Sequence, residues 1–304
     1  MRALCLGEAL VDLVCQRPVA VDSPTAGLEE ADCLTPHVGG VMANVALTAA
    51  SLGADVSLAG GAGDDPWGHW LAGRLRGGGV GLDLFDLGAG RSTAVAFVTV
   101  DGAGEPRYTR HAEELDVTLA ALAPRLEEVV EDAGVLCLGS NTLVGEADRR
   151  VTLAARERAL EIGRPVVFDP NLRPGRWEHP GRAAAVAREC IPGALLVKLN
   201  GVEARALSGE ADPERAAAGL LAAGARNVVV TLGGQGALLR GEVRADAAGP
   251  AARVLNAAGA GDVLLGVILA ALVLTDCYPP AIAAVLSDAV AAAARATEGW
   301  GALG

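Results

Sequence analysis

Seven residues, Asn256-Ala257-Ala258-Gly259-Ala260-Gly261-Asp262, hold the chemistry most worth following in this chain. Gly259, Ala260 and Gly261 stand directly before one carboxylate and an apolar run over 263–274. Small residues let the backbone approach a ligand closely, and a helix beginning there turns unpaired N–H groups outward. Those groups and the helix dipole favour an anion, so the loop reads as a phosphate cradle. A carboxylate on its rim can take a proton from a hydroxyl as that hydroxyl attacks phosphorus. A glycine-rich turn with an Asp N-cap accounts for the same residues without any ligand.

Further polar clusters follow other apolar runs. Gly39-Gly40 introduces a helix carrying Asn44; paired glycines permit close approach to a polyol, and Asn44 offers both a donor and an acceptor. A capped helix start explains that pair equally well. Asp12, after Gly7-Glu8-Ala9-Leu10-Val11, can accept hydrogen bonds from sugar hydroxyls, or be a plain surface residue. Asp169-Pro170-Asn171-Leu172-Arg173-Pro174 holds Asn171 and Arg173 between prolines, where turn chemistry competes. Lys198-Leu199-Asn200-Gly201-Val202-Glu203 sets Asn200 and Glu203 three apart, a spacing that lets both face phosphates and a hydrated Mg²⁺. Thr231-Leu232-Gly233-Gly234-Gln235-Gly236 supplies glycines that open room for a nucleotide.

These clusters must be positioned by regular elements. Apolar runs over 3–6, 56–59, 135–138, 165–169, 195–199 and 227–232 predict strands. Helical patterns over 43–52, 67–75, 151–162, 182–190 and 213–223 alternate with them, and 263–274 predicts a buried helix, too short to span a bilayer. Continuous apolar strands between amphipathic helices predict a doubly wound, mostly parallel sheet covered on both faces. Its strand C-terminal ends would collect the clusters. Two segments break the rhythm, 11–38 and 92–110, and the second reads as a hairpin turning at 101–104. Together they predict a small β-sheet lid at the edge of one α/β domain spanning 1–304. With 304 residues, 51% of them hydrophobic, the chain has ample core for that.

Composition excludes several classes. A net charge of −12 argues against nucleic acid or an anionic membrane as the main partner. Six scattered cysteines without a C-x-x-C pair fit a reduced, cytoplasmic setting and no zinc site. Lys198 is the one lysine, and it lies between Val197 and Leu199, so no Walker A loop exists. His-Arg-Asp and Asp-Phe-Gly are absent, which removes protein-kinase chemistry. Aromatic residues are 3% of the chain, too few to favour a nucleoside substrate stacked on rings.

From Gly7 to about residue 302 the chain resembles the PfkB, or ribokinase-like, carbohydrate kinase family. The resemblance rests on Gly39-Gly40-x-x-x-Asn44, Leu52-Gly53-Ala54, Gly63-Asp64-Asp65-Pro66-x-Gly68, Asn200-x-x-Glu203 and Gly259-Ala260-Gly261-Asp262. It implies a ribokinase-like fold and ATP- and Mg²⁺-dependent phosphorylation of a sugar. Asp262 would be the base, and the amides of Gly259, Ala260 and Gly261 would stabilise the transferring phosphoryl group. Asp12, Gly39, Gly40, Asn44, Arg110, Asn171 and Arg173 would bind the sugar. Lys198, Asn200, Thr231, Gly233 and Gly236 would bind the nucleotide, and Glu203 would meet Mg²⁺ through water. The segments 7–12 and 169–174 are similar to the fructokinase and 2-keto-3-deoxygluconate kinase branches. The expectation is a fructokinase-like enzyme that binds a small sugar and ATP, with association into a homodimer through the lid. A 2-keto-3-deoxygluconate kinase is the alternative, with Arg173 answering the acid's carboxylate. A silent sugar or nucleotide sensor is the alternative from another class.

Three positions depart from the family pattern. Asn256-Ala257-Ala258 stands where the family usually writes Asp-Thr-x, Asp288 where an adenine-side helix often carries Asn, and 107–111 matches the sugar-contacting strand loosely. The acidic residue replaced by Asn256 helps relatives hold a monovalent cation. Asn256 keeps an acceptor oxygen without the charge, so the expectation here is weak K⁺ binding.

Overall fold

Alternation within each short apolar strand decides the architecture, because both faces of the sheet are covered. The computed structural model describes residues 1–18, 34–111 and 119–301. Strand β1 (Arg2–Leu6) turns Ala3 and Cys5 into one core and Leu4 and Leu6 into the other. After it come β2 (Leu10–Pro18), β3 (Leu34–Gly39), α1 (Val41–Ser51), β4 (Asp55–Gly63), α2 (Pro66–Gly77) and β5 (Phe85–Gly88). The hairpin β6 (Val95–Val100) and β7 (Pro106–His111) leads to α3 (Leu126–Asp132), β8 (Val135–Gly139), α4 (Glu146–Glu161) and β9 (Val166–Asp169). Next are α5 (Pro180–Arg188), β10 (Leu196–Asn200), α6 (Gly201–Ser208), α7 (Pro213–Ala222) and β11 (Asn227–Thr231). The chain closes with β12 (Gly236–Gly241), β13 (Ala245–Ala248), α8 (Ala260–Leu274) and α9 (Pro280–Ala296).

The main sheet has the order β13-β12-β11-β10-β9-β8-β1-β4-β5 and is parallel from β11 to β5. Helices α1, α2, α8 and α9 cover one face, and α3 to α7 cover the other. The chain winds outward from β1 through β4 to β5, then returns to β8 and winds the other way. That reversal makes the gap between β1 and β8 the topological switch point, where ligands of such sheets bind. All six predicted strands and all six predicted helices are present, within two residues at every end except the close of β4, four residues later, and the starts of α4 and α8, five and three residues earlier.

The sequence reading missed the antiparallel edge strands β12 and β13. Ala245-Asp246-Ala247-Ala248 carries no apolar run, and it is held by ladder pairing to β12 instead. A second sheet, β3-β2-β6-β7, stands apart from the first, as the two rhythm-breaking segments predicted. Its β6–β7 hairpin pairs Val100 with Pro106 around the predicted turn. Of the expected lid segment 11–38, residues 19–33 lie outside the described residues. Among the described residues no helix is long and apolar enough to cross a membrane, and five cysteines are free and buried.

Candidate active site

The C-terminal ends of the parallel strands and the inner face of the small sheet enclose a cavity of about 250 Å³. Leu10, Asp12 and Val14 line it from β2, and Ala96, Val98 and Tyr108 line it from the hairpin. The hairpin tip reaches across to the cradle loop, where the Ala257 N–H donates to the Gly104 carbonyl at 2.9 Å. The second sheet therefore roofs the cavity and touches the loop that leads into α8.

Asp262 sits in the first turn of α8 and is buried. Gly259 caps the helix in the left-handed region at φ 76°, where glycine carries no Cβ penalty. The N–H groups of Gly259, Ala260 and Gly261 have no partner among the described residues, as the first turn of a helix dictates. Asn44, on the fourth residue of α1, donates from Nδ2 to Asp262 Oδ2 at 2.9 Å. Its Oδ1 is buried without a partner, and so is Oδ1 of Asn171. Burial raises the Asp262 pKa to about 7, opposed by the charge of Lys198 and reinforced by Asp169. A carboxyl tuned near neutrality can release or accept a proton under working conditions.

Beneath the cradle, β9 and β10 place Asp169 beside Lys198, and Nζ donates to Asp169 Oδ2 at 2.9 Å. Both are almost fully buried. Burial alone would strip the lysine of its charge; the attraction of Asp169, Glu203 and Asp262 outweighs it and raises the pKa. A Cβ on Gly261 would come within 2.6 Å of that Nζ, so the ammonium lies directly under the first turn of α8.

Glu203 lines the cavity and also caps a helix. Asn200 Oδ1 accepts from the Glu203 N–H, and Glu203 Oε2 accepts from the Asn200 N–H, both at 2.9 Å, which is a capping box opening α6. The other carboxylate oxygen accepts the Leu172 N–H at 2.9 Å. The three-residue spacing is thus accounted for by helix capping, with no ion needed to explain it. Burial, then the neighbouring Asp169 charge, raises the Glu203 pKa.

Asp12, Gly40, Asn44, Asn171, Arg173, Lys198, Asn200, Glu203, Thr231, Gly259, Gly261 and Asp262 all line this one cavity. Gly39 lies just behind it: a Cβ there would strike the Asp12 carboxylate at 2.5 Å, and one on Gly40 would strike the Glu8 carbonyl at 2.4 Å. Their small size serves the approach of two chain segments. Gly233 is exposed and Gly236 is buried, and neither lines the cavity. A Cβ on Gly236 would meet the Ala247 carbonyl at 1.9 Å, so the β12–β13 ladder requires that glycine. Arg110 lies on β7, and its side chain falls outside the described residues. Asp288 is exposed on α9, away from the cavity lining. Sequence reasoning left Glu8, Asn141 and the acid Asp169 without roles, although all three follow or end apolar strands.

Asn256 uses both ends of its amide. Nδ2 donates to the Trp300 carbonyl at 2.6 Å, and Oδ1 accepts the Ala258 N–H at 2.9 Å. With its donor aimed at a carbonyl and its oxygen already accepting one N–H, the neutral amide leaves a cation a single lone pair and no negative charge. The monovalent-cation site implied by the family pattern is therefore a poor fit at this residue.

The chain matches the pfkB family carbohydrate kinase model over residues 2–302. Fructokinase-1 of Oryza sativa subsp. japonica is 33% identical over 276 residues, 86% of this chain and 80% of that protein. Fructokinase-2 of Solanum habrochaites is 30% identical over 272 residues, covering 88% and 80%. Among solved structures, fructokinase from Vibrio cholerae O395 in fructose, ADP and calcium ion bound form superposes with a TM-score of 0.81 at 25% identity. That match covers 99% of this chain and 94% of the other. With the family matched along almost its whole length and the cradle, Asn44 and Asp262 gathered at one cavity, the chain belongs to the pfkB family of carbohydrate kinases and is a sugar kinase.

Proposed function

We propose that this enzyme is fructokinase-like, transferring the γ-phosphate of ATP to a hydroxyl of a small neutral sugar. One observation carries the reading: Asp262, held by Asn44 and tuned to about 7, opens beside three unpartnered amides into a roofed cavity. Asp262 accepts the proton of the attacking hydroxyl as the oxygen–phosphorus bond forms. The amides of Gly259, Ala260 and Gly261 then hold the negative oxygens of the transferring group, with Lys198 beneath them. About 250 Å³ lies below the usual span of ligand pockets and suits one small sugar with a terminal phosphate. The remainder of the nucleotide extends past Asn200 and Thr231. When bound, Mg²⁺ neutralises phosphate charge; Glu203, its oxygens already accepting backbone N–H groups, would meet it through water. The roofing sheet excludes water, so that the sugar hydroxyl attacks in its place.

The fructokinase relatives at 30–33% identity and the fructose- and ADP-bound structural neighbour support this substrate class. A coupled ADP-release assay over fructose, glucose, ribose and 2-keto-3-deoxygluconate tests it. The highest kcat/KM should fall on fructose; a clear preference for the keto-deoxy acid would replace this reading with the second one.

A further inference from the structure

Helices α1 and α8 both begin at the cavity, with Asn44 in the first turn of one and Asp262 in the first turn of the other. One turn further along stand Thr48 and Gly266, both buried. Residues four apart share a helix face, so the two pairs form successive rungs between the helices. The first rung is the hydrogen bond from Asn44 Nδ2 to Asp262 Oδ2 at 2.9 Å. The second is a bare contact. A Cβ on Gly266 would fall 2.4 Å from Thr48 Cβ, 2.7 Å from its methyl carbon and 3.0 Å from the Val45 carbonyl oxygen. Gly266 lies in regular helix without a positive φ, where glycine is less stable than alanine, so the contact and not the backbone calls for it. Thr48 Oγ1 donates to the Asn44 carbonyl at 2.8 Å, which fixes the rotamer that turns its methyl to Gly266.

Ordinary contact begins near 3.4 Å, so Gly266→Ala would drive the helices about 1 Å apart at the second rung. Carried to the first rung, that displacement stretches the Asn44–Asp262 bond beyond hydrogen-bond length. The charges acting on Asp262 come from other elements: Lys198 on β10, Asp169 on β9 and Arg173 in the loop beyond it. None of them is among the nearest neighbours of Gly266. A change at this rung therefore reaches Asp262 through Asn44, whose donor favours the ionised carboxylate against the effect of burial.

We propose that Gly266 and Thr48 are positioning residues: their contact fixes α1 against α8 at the separation that lets Asn44 orient the Asp262 carboxylate for proton transfer. This rests on the reading of Asp262 as the base. Gly266→Ala should lower kcat/KM for fructose about 10- to 100-fold, as a displacement of this size implies. It should also move the acid limb of the kcat/KM profile, which reports the free enzyme, up by about one pH unit, the worth of one charge-assisted hydrogen bond. Adding Thr48→Gly to that variant removes the opposing Cβ and should restore both. A lower kcat/KM with the acid limb unmoved is what a merely structural role would give, and it would overturn the assignment; so would a double variant no better than Gly266→Ala. Should Gly266→Ala fail to fold, Thr48→Ala and Thr48→Val decide. Loss of the contact in Thr48→Ala should raise the acid limb, whereas Thr48→Val keeps the shape and should leave it; the reverse order, or no movement in Thr48→Ala, would refute the role. Urea unfolding needs no turnover: from pH 4.5 to pH 8, Gly266→Ala should lose more stability than the wild type, because a carboxyl with a higher folded pKa goes on losing stability to higher pH. Absence of ADP formation with any sugar would fail the kinase reading, and the unfolding comparison would still judge the contact, equal losses refuting it.

Discussion

Replacing Asp262 by Asn should stabilise the protein as it removes activity, because the wild-type carboxylate is held at a cost. Its pKa stands at about 7 against an ordinary 3.8, and burial is the main cause. A carboxyl with a raised folded pKa prefers to keep its proton, so the wild-type chain loses stability as pH rises from about 4 to 7 and no further above that. The difference between the two values corresponds to at most about 4 kcal/mol, reached at pH 8, where the group is ionised folded and unfolded alike. At pH 4.5 only about 1 kcal/mol of that penalty has developed. Asp262→Asn carries no charge to desolvate. Its new amide can be met by Asn44, whose Oδ1 lacks a partner and can turn to accept. Urea unfolding of both proteins at pH 4.5, 6 and 8 should therefore show a gap in favour of the variant that widens with pH. A variant no more stable than wild type at pH 8, or a gap that does not change with pH, would show that this carboxylate bears no such burden.

The other expectations concern neighbouring residues. With both ends of the Asn256 amide committed, wild-type turnover at constant ionic strength should respond little to K⁺ replacing a bulky organic cation. Asn256→Asp should introduce that response; strong activation of the wild type would contradict the fit drawn from Trp300 and Ala258. Arg173→Ala should cost more against 2-keto-3-deoxygluconate than against fructose, since a guanidinium pairs best with a carboxylate; equal losses remove it as a discriminator. Glu203→Ala removes both oxygens that accept the Asn200 and Leu172 N–H groups and should lower stability by about 1–3 kcal/mol while raising the ATP KM. Unchanged unfolding would mean that the box does not hold α6.

Much of this arrangement was legible in the chain because local rules wrote it. Continuous apolar runs such as 135–138 marked a sheet covered on both faces, and glycine before Asp262 marked a helix start. What escaped depends on contacts between distant segments. Nothing near Asn44 announces a hydrogen bond to a residue 218 positions away. The Asp169–Lys198 pair arises because β9 and β10 are neighbours in space, and Lys198 read in isolation looks like a free phosphate ligand. At Glu203 the spacing that suggests an ion is also that of a capping box, and only the folded chain shows the box. Gly236 likewise reads as room for a nucleotide until the β12–β13 ladder supplies its reason.

The central claim, that Asp262 is the base of phosphoryl transfer to a sugar hydroxyl, is tested most directly by ADP formation at saturating fructose and ATP in the wild type and in Asp262→Asn. The variant should bind both substrates with near-normal affinity by calorimetry while kcat falls roughly 10²–10⁴-fold, as removal of a general base implies. A kcat within a few-fold of wild type would contradict it.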